Sequence, residues 1–190
     1  MKNMLFIMNP KAGRTTLKNS LVDVLEVFCN NDYAVRTYLT KSADDAERIV
    51  QEEGANYDVI VCAGGDGTLG NTVTGYMKSG IKVPLGYIPC GSTNDFARSM
   101  DIPRETVEAA EMIVKAEPFS IDIGSLNDKN FVYVAAFGMF SDTSYATPQN
   151  MKNIFGHAAY VLQGIKSLAN VPSYKMKVTI DRSEERRVGK

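Results

Sequence analysis

The chain has 190 residues, of which 44% are hydrophobic and 23% are charged, and its formal net charge is −1. This composition predicts a globular protein rather than a disordered one, and the near-zero charge gives no reason to expect a nucleic acid as partner. No stretch approaches the roughly 20 apolar residues of a transmembrane helix, so we expect any contact with a membrane to be peripheral. Three dispersed cysteines without a C-x-x-C pair indicate reduced thiols in a cytoplasmic chain.

Short apolar runs alternate with helical periodicity along the first 115 residues. The runs predict four strands, at 4–8, 34–39, 58–62 and 84–88. The periodic segments predict helices at about 17–28, 45–50, 69–78 and 104–115, with a further helix that begins near Asp95. The spacing of Ser42 and Asp45 is typical of a capping box at the start of the second helix. Strands and helices in this order predict an α/β fold with a parallel sheet covered by helices.

The pattern changes after Pro118. Apolar segments at 119–126 and 131–137 predict a hairpin with its turn at 127–130, followed by an apolar helix at 156–168 and a strand at 174–180. We therefore expect an α/β domain at 1–118 and an incomplete β-rich domain at 119–181. Residues 182–190 are rich in charge, break the strand pattern and look like the translation of a sequencing-adapter sequence. They are predicted to be a non-native tail, with a native solvated tail as the alternative.

Four polar segments follow the predicted strands, at the edge where open α/β sheets bind ligands: 9–13, Thr40, 64–68 and 91–95. Glycines in such loops let the backbone approach phosphate, and the amides at a helix start point at the anion. Thr68 and Thr93 add hydroxyl groups, while Asp66 and Asp95 add carboxylates of the kind that Mg²⁺ prefers. A single glycine turn could be purely structural, but two such loops with acids favour a site for phosphate and metal.

Residues 65–70 also fit G-x-G-x-x-G, the dinucleotide-binding fingerprint. That fingerprint belongs after the first strand of its unit, with an acidic residue at the end of the next strand. Here it follows the third predicted strand, and the next strand ends at Ile88-Pro89-Cys90 without an acid. A Walker A sequence is absent as well. The pattern therefore disfavours both an NAD site and a P-loop kinase.

Three segments of the chain together resemble the diacylglycerol kinase catalytic-domain family. This family includes bacterial lipid kinases and is distantly related to NAD kinases. The matching segments are 9–13, 64–68 and 91–98, and the similarity continues through 121–124 and 135–141. The resemblance implies an ATP- and Mg²⁺-dependent lipid kinase with a nucleotide-binding domain and a C-terminal β-sandwich. It also implies a lipid substrate at the membrane surface and a cytoplasmic enzyme in peripheral contact with the inner membrane face.

The resemblance assigns residues as well. The nucleotide is expected to contact Asn9, Pro10, Lys11, Ala12, Gly13, Thr40, Gly64, Gly65, Asp66, Gly67, Thr68, Leu69, Gly70, Asn71, Thr93 and Asn94. The catalytic positions, which are also the expected Mg²⁺ ligands, are Asp66, Asp95 and Asp122.

The chain departs from the family pattern in two places. Gly70 and Asn71 stand where the family commonly has Asn-Glu, which removes a carboxylate. The family's Asp-Gly-Glu motif, which carries the expected general base, would lie beyond residue 190. We therefore expect this chain to be an inactive fragment that aggregates or forms a homodimer through its unfinished second domain. The alternatives are a soluble-substrate kinase like the NAD kinases and a non-catalytic nucleotide-binding module, with an oxidoreductase in third place.

Overall fold

A computed structural model of the chain describes residues 1–12, 16–126, 129–134, 176–180 and 183–188. Contacts divide the chain into two compact units, Met1–Ala135 and Ala136–Lys190. The first unit contains a four-stranded parallel sheet in the order β2-β1-β3-β4. Its strands are β1 (Lys2–Met8), β2 (Tyr33–Leu39), β3 (Val59–Gly64) and β4 (Leu85–Pro89). All four strands predicted from apolar runs are confirmed, each with its bounds within two residues of the prediction.

Five helices accompany this sheet within the described residues. They are α1 (Thr16–Asn30), α2 (Asp45–Glu53), α3 (Asp66–Ser79), α4 (Asp95–Ser99) and α5 (Thr106–Lys115), with a 3₁₀ turn at Gly54–Asn56. None of the helices in the described segments is long and apolar enough to cross a membrane. The predicted helix at 156–168 lies outside the described residues.

The side chains of β1 alternate between two hydrophobic clusters, one on each face of the sheet. Phe6 packs with α1 and α5, and its ring meets that of Phe28 edge to face at 5.6 Å, a contact worth about 0.5–1.5 kcal/mol beyond burial. Leu5 and Ile7 pack with α2 on the opposite face. Every residue of β3 is buried, as the unbroken apolar run of a central parallel strand predicts.

Two helix starts differ from the sequence prediction. The third helix begins at Asp66, three residues earlier than expected, because its first turn is built from the glycine loop. The second begins at Asp45 with Asp44 as its N-cap residue, so the prediction that Ser42 caps it is wrong. The carboxylate of Asp45 instead accepts the N–H groups of Lys41 at 2.6 Å and Ser42 at 3.2 Å. These bonds, the one from Lys41 above all, lower the pKa of Asp45.

A short antiparallel hairpin completes the described part of the first unit. It consists of β5 (Gly124–Leu126) and β6 (Lys129–Phe131), and is shorter than the predicted hairpin. The turn prediction is wrong for residues 129 and 130, which lie in β6, because pairing continues until Leu126 meets Lys129. Ile123 and Val132, which flank the hairpin, pack against the cluster formed by α3, α4 and β4. The domain boundary near residue 118 stays a prediction, since the compact unit continues to residue 135.

The second unit contains an antiparallel pair, β7 (Met176–Ile180) and β8 (Ser183–Val188). The predicted strand at 174–180 is confirmed over its described residues. The expectation that residues 182–190 break the strand pattern is wrong for 183–188. Backbone groups form the ladder whatever the side chains are, and charged residues are common on edge strands. The non-native origin of this segment stays a prediction.

Candidate active site

The strand order creates a switch point between β1 and β3. The chain leaves β1 toward β2 on one side and leaves β3 toward β4 on the other, so the loops after β1 and β3 diverge and open a crevice. Two hydrogen bonds join these loops. The backbone N–H of Asn9 donates to the Ala63 carbonyl at 3.0 Å, and Asn9 Nδ2 donates to Thr68 Oγ1 at 3.0 Å. The first two sequence motifs therefore meet where ligands bind in folds of this kind.

The first motif forms a compact turn. The side-chain oxygen of Asn9 accepts the N–H of Lys11 at 3.0 Å, and its carbonyl accepts the N–H of Ala12 at 3.1 Å. Pro10 and Lys11 are exposed, whereas Ala12 is half-buried. Gly13, which was also predicted to contact the nucleotide, lies outside the described residues. The Asn9 side chain thus shapes its own loop and fastens it to α3.

Thr40 lies at the end of β2, beside the end of β1. It is buried, and its N–H donates to the Met8 carbonyl at 2.9 Å. The segment that follows it is tied to α3, because Asn71 Nδ2 donates to the Ala43 carbonyl at 2.6 Å. The side-chain amide of Asn71 is therefore engaged by the backbone of that segment. A Cβ added at the neighbouring Gly70 would meet nothing within 4 Å.

The second motif turns from β3 into α3. A Cβ at Gly64 would lie 2.6 Å from the Thr68 side chain, so this position requires glycine. Gly67 is exposed, and a Cβ there would meet nothing within 4 Å, which leaves this side of the loop open to a ligand. An α-helix leaves its first N–H groups without intrahelical partners, and α3 presents them at the crevice. Such a helix start is suited to binding a phosphate group.

The third motif is closed by Asn94, which is buried and has a left-handed backbone with φ of 53°. Its Oδ1 accepts the N–H of Gly91 at 2.8 Å, and its Nδ2 donates to the carbonyl of Gly91 at 2.9 Å. Asparagine adopts this backbone region more readily than most residues. The Asn94 side chain thus holds the loop in shape by its bonds to Gly91. Ser92 and Thr93 are the two residues between Gly91 and Asn94.

The two glycine loops touch each other backbone to backbone. A Cβ at Gly91 would lie 2.6 Å from the Cα atom of Gly65, and the N–H of Cys90 donates to the carbonyl of Gly64 at 2.7 Å. Even one methyl group at Gly91 would therefore push the loops apart. Backbone contact therefore limits how closely the two loops can approach each other.

Asp66 links the same two loops by a contact that the sequence did not predict. Its two carboxylate oxygens accept the N–H groups of Asp95 at 3.1 Å and Phe96 at 3.3 Å. These are the first two residues of α4, whose N-cap residue Asn94 supplies no side-chain cap. Asp66 therefore caps α4 from another loop. No local pattern could have signalled this bond, since the partners are 29 and 30 residues away.

The three predicted magnesium ligands are brought together only in part. The capping bonds place Asp66 beside the start of α4, where Asp95 is half-exposed, while Asp122 is exposed just before β5. Among the described residues, no group of three His, Cys, Asp or Glu side chains could hold a metal ion. Mg²⁺ is commonly held by one or two carboxylates together with phosphate oxygens and water. The assignment of Asp66, Asp95 and Asp122 as Mg²⁺ ligands therefore stays a prediction.

Neutral groups lie beneath the loops. Burial raises the pKa of the Cys62 and Cys90 thiols to about 12. Burial also raises the pKa of Tyr87, and the negative charge of Asp66 adds to this effect. These groups stay protonated at neutral pH, so they add no negative charge that would repel a phosphate.

Comparisons with known proteins agree with this arrangement. Residues 3–126 match the diacylglycerol kinase catalytic domain. Diacylglycerol kinase of Bacillus subtilis (strain 168) is 35% identical over 183 residues, which are 95% of this chain and 60% of that protein. Diacylglycerol kinase of Staphylococcus aureus (strain JH9) is 34% identical over 184 residues, which are 95% of this chain and 58% of that protein. The chain thus spans about 60% of the length of these relatives.

Solved structures show the same fold. The crystal structure of a diacylglycerol kinase from Bacillus anthracis str. Sterne aligns with a TM-score of 0.71 at 24% identity, covering 98% of this chain and 61% of that one. A second structure from the same strain aligns with a TM-score of 0.74 at 27% identity, covering 98% and 63%. Because the family match spans more than half of its residues, the chain belongs to the diacylglycerol kinase catalytic domain family.

Proposed function

We propose that this chain carries the nucleotide-binding part of a lipid kinase, which transfers the γ-phosphate of ATP to a lipid hydroxyl such as that of diacylglycerol. The observation that carries the proposal is the meeting of the motif loops at the switch point, held by the Asn9–Thr68 hydrogen bond. It brings the start of α3 and two glycine loops to one crevice, which is an arrangement suited to a polyphosphate. The family and the relatives named diacylglycerol kinase support this choice of acceptor.

In this proposal the amides at the start of α3 hold phosphate oxygens, with the Thr68 hydroxyl beside them. Asp95 would hold Mg²⁺, whose charge would offset that of the phosphates when it is bound. Asp66 keeps α4, and therefore Asp95, in place. The remaining expected nucleotide contacts follow the motif positions given by the family resemblance.

The reaction itself is a direct transfer. The lipid hydroxyl oxygen forms a bond to the γ-phosphorus, the bond to the bridging oxygen breaks, and ADP leaves. The hydroxyl proton passes to a carboxylate, which the family pattern places outside these 190 residues. Since the acceptor resides in a bilayer, we place the enzyme at the cytoplasmic face of the membrane, in peripheral contact with it.

A pair of threonine variants tests the binding half of the proposal. Thr68→Val removes the hydroxyl that joins the first two loops, whereas Thr74→Val removes a hydroxyl on the same helix that bonds only the carbonyl of Gly70. We expect Thr68→Val to weaken Mg²⁺–ATP binding by roughly 5- to 30-fold in calorimetric titration, the loss of one or two hydrogen bonds. Thr74→Val should bind like the wild type.

Titration with NAD(H) and a transfer assay complete the test. Binding of NAD(H) without ATP, or equal ATP affinity of both threonine variants, would contradict the proposal. Labelled ATP is then offered with diacylglycerol, other lipids and NAD as acceptors. We predict no turnover by the 190-residue chain itself, so binding is the deciding measurement. Turnover on diacylglycerol would show that the base lies among the residues present.

A further inference from the structure

Tyr87 lies in β4 beneath the two glycine loops, and no motif drew attention to it. It is only 4% exposed. Its hydroxyl donates to the Gly64 carbonyl at 3.1 Å and lies 3.4 Å from Asn94 Oδ1. Gly64 ends the strand that leads into the second motif, and Asn94 closes the third. The hydroxyl therefore lies within hydrogen-bond distance of one acceptor in each of the two loops.

Both oxygen atoms that the hydroxyl reaches also accept a backbone N–H from the third-motif loop. The Gly64 carbonyl accepts the N–H of Cys90 at 2.7 Å, and Asn94 Oδ1 accepts the N–H of Gly91 at 2.8 Å. The hydroxyl thus lies at the centre of a short network that crosses from one loop to the other. Above this network the loop backbones are already in contact at Gly65 and Gly91.

Apolar packing alone does not account for a tyrosine at this position. The ring packs against Phe96, with a centroid distance of 6.1 Å and an interplanar angle of 56°. A phenylalanine ring would occupy the same space. A buried hydroxyl is costly unless it is hydrogen-bonded, and here the Gly64 carbonyl and Asn94 Oδ1 are the acceptors within reach. Burial also raises the pKa of Tyr87, so the hydroxyl keeps its proton well above neutral pH.

We propose that Tyr87 is a positioning residue, whose buried hydroxyl holds the two glycine loops at a fixed separation and so shapes the nucleotide site. Only the part of this inference that concerns nucleotide binding rests on the proposed function. The separation of the loops is a property of the protein without ligand. It can be measured separately.

Tyr87→Phe tests the proposal with Tyr76→Phe as a matched control. The Tyr76 hydroxyl donates to the Val83 carbonyl at 2.9 Å, so the control also removes one phenolic donor to a backbone carbonyl, but away from the loops. Each variant of the 190-residue chain is titrated with Mg²⁺–ATP. Hydrogen exchange of the Cys90 amide, which bonds to Gly64, reports on the spacing of the loops directly.

We expect Tyr87→Phe to weaken Mg²⁺–ATP binding roughly 3- to 10-fold and to speed exchange of the Cys90 amide by a similar factor, the effect of one buried hydrogen bond. Tyr76→Phe should change neither the affinity for Mg²⁺–ATP nor the exchange rate of the Cys90 amide, even if it lowers the melting temperature as much as Tyr87→Phe does. Tyr87→Phe binding within about twofold of the wild type would overturn the proposal. If the wild type binds no nucleotide, the proposed function fails. The Cys90 amide then decides: faster exchange only in Tyr87→Phe supports the role in loop spacing, and unchanged exchange overturns it.

Discussion

Replacing Asp66 with alanine tests whether this residue serves the fold as well as the site. The carboxylate accepts two backbone N–H groups at the start of α4, at 3.1 and 3.3 Å. Loss of an N-cap acceptor costs about 0.5–2 kcal/mol, and bonds to a charged acceptor lie toward the upper end. Asp66 is also an acidic residue in the first turn of α3, a position worth about 0.3–1 kcal/mol. We therefore expect a loss of about 2 kcal/mol in the free energy of unfolding.

Asp95→Ala is the matched control. Asp95 is also an acidic residue in the first turn of its helix, but only its backbone N–H takes part in the capping contact. The control therefore removes the same charge without removing the cap, and should cost about 0.5 kcal/mol. Urea unfolding followed by circular dichroism measures both variants, and Asp66→Asn, which keeps one acceptor oxygen, should fall between wild type and Asp66→Ala.

Equal losses in Asp66→Ala and Asp95→Ala would refute the capping argument, because only the shared charge effect would remain. An Asp66→Ala variant within about 0.5 kcal/mol of the wild type would refute it too, since surface substitutions without a structural role stay within that range. A changed slope of the urea transition would indicate a different unfolded or native state and would require a thermal measurement instead.

Two further predictions concern glycine and cysteine positions. Gly75→Ala should destabilise the chain by about 1–3 kcal/mol in thermal unfolding, because the new Cβ would lie 2.4 Å from a backbone carbonyl oxygen of α2. Gly70→Ala places its Cβ in open space and should stabilise α3 by about 0.5–1 kcal/mol. Equal effects of the two substitutions would contradict this packing. Iodoacetamide at pH 8 should modify the exposed Cys29 first, because burial raises the pKa of the Cys62 and Cys90 thiols to about 12 and keeps them protonated. Mass spectrometry of the native protein measures the order of modification. Modification of Cys62 or Cys90 before Cys29 would show that these thiols are accessible.

The parallel sheet could be predicted because its physics is local to each segment. A strand buried on both faces needs an unbroken apolar run, and β3 shows one in which all six residues are buried. The glycine loops were predictable for a similar reason, since Gly64 and Gly91 stand where a side chain has no room. The positions of the apolar runs and of the glycines along the chain therefore predicted both the sheet and the edge of the sheet at which the candidate site lies.

The contacts that assemble the site could not be predicted, because they depend on which segments become neighbours. Asp66 looks like a metal ligand in sequence, and only the fold reveals that its oxygens meet α4. Tyr87 looks like any aromatic residue in a strand until its hydroxyl is placed under two loops. The pairing of Ser183–Val188 was missed because side-chain charge says little about backbone pairing at an edge.

The hydrogen bond between Asn9 and Thr68 joins residues 59 positions apart, and the cap on α4 joins Asp66 to Asp95 across 29 positions. During synthesis, then, the crevice cannot form until the ribosome has released the chain from the first loop through α4. The nucleotide proposed above, which needs this crevice, would associate only with chains in which these loops have met. At 100 times its dissociation constant it would add about 2.7 kcal/mol to the stability of those chains. Nucleotide supply would therefore influence how many newly made chains stay folded, before any phosphate is transferred.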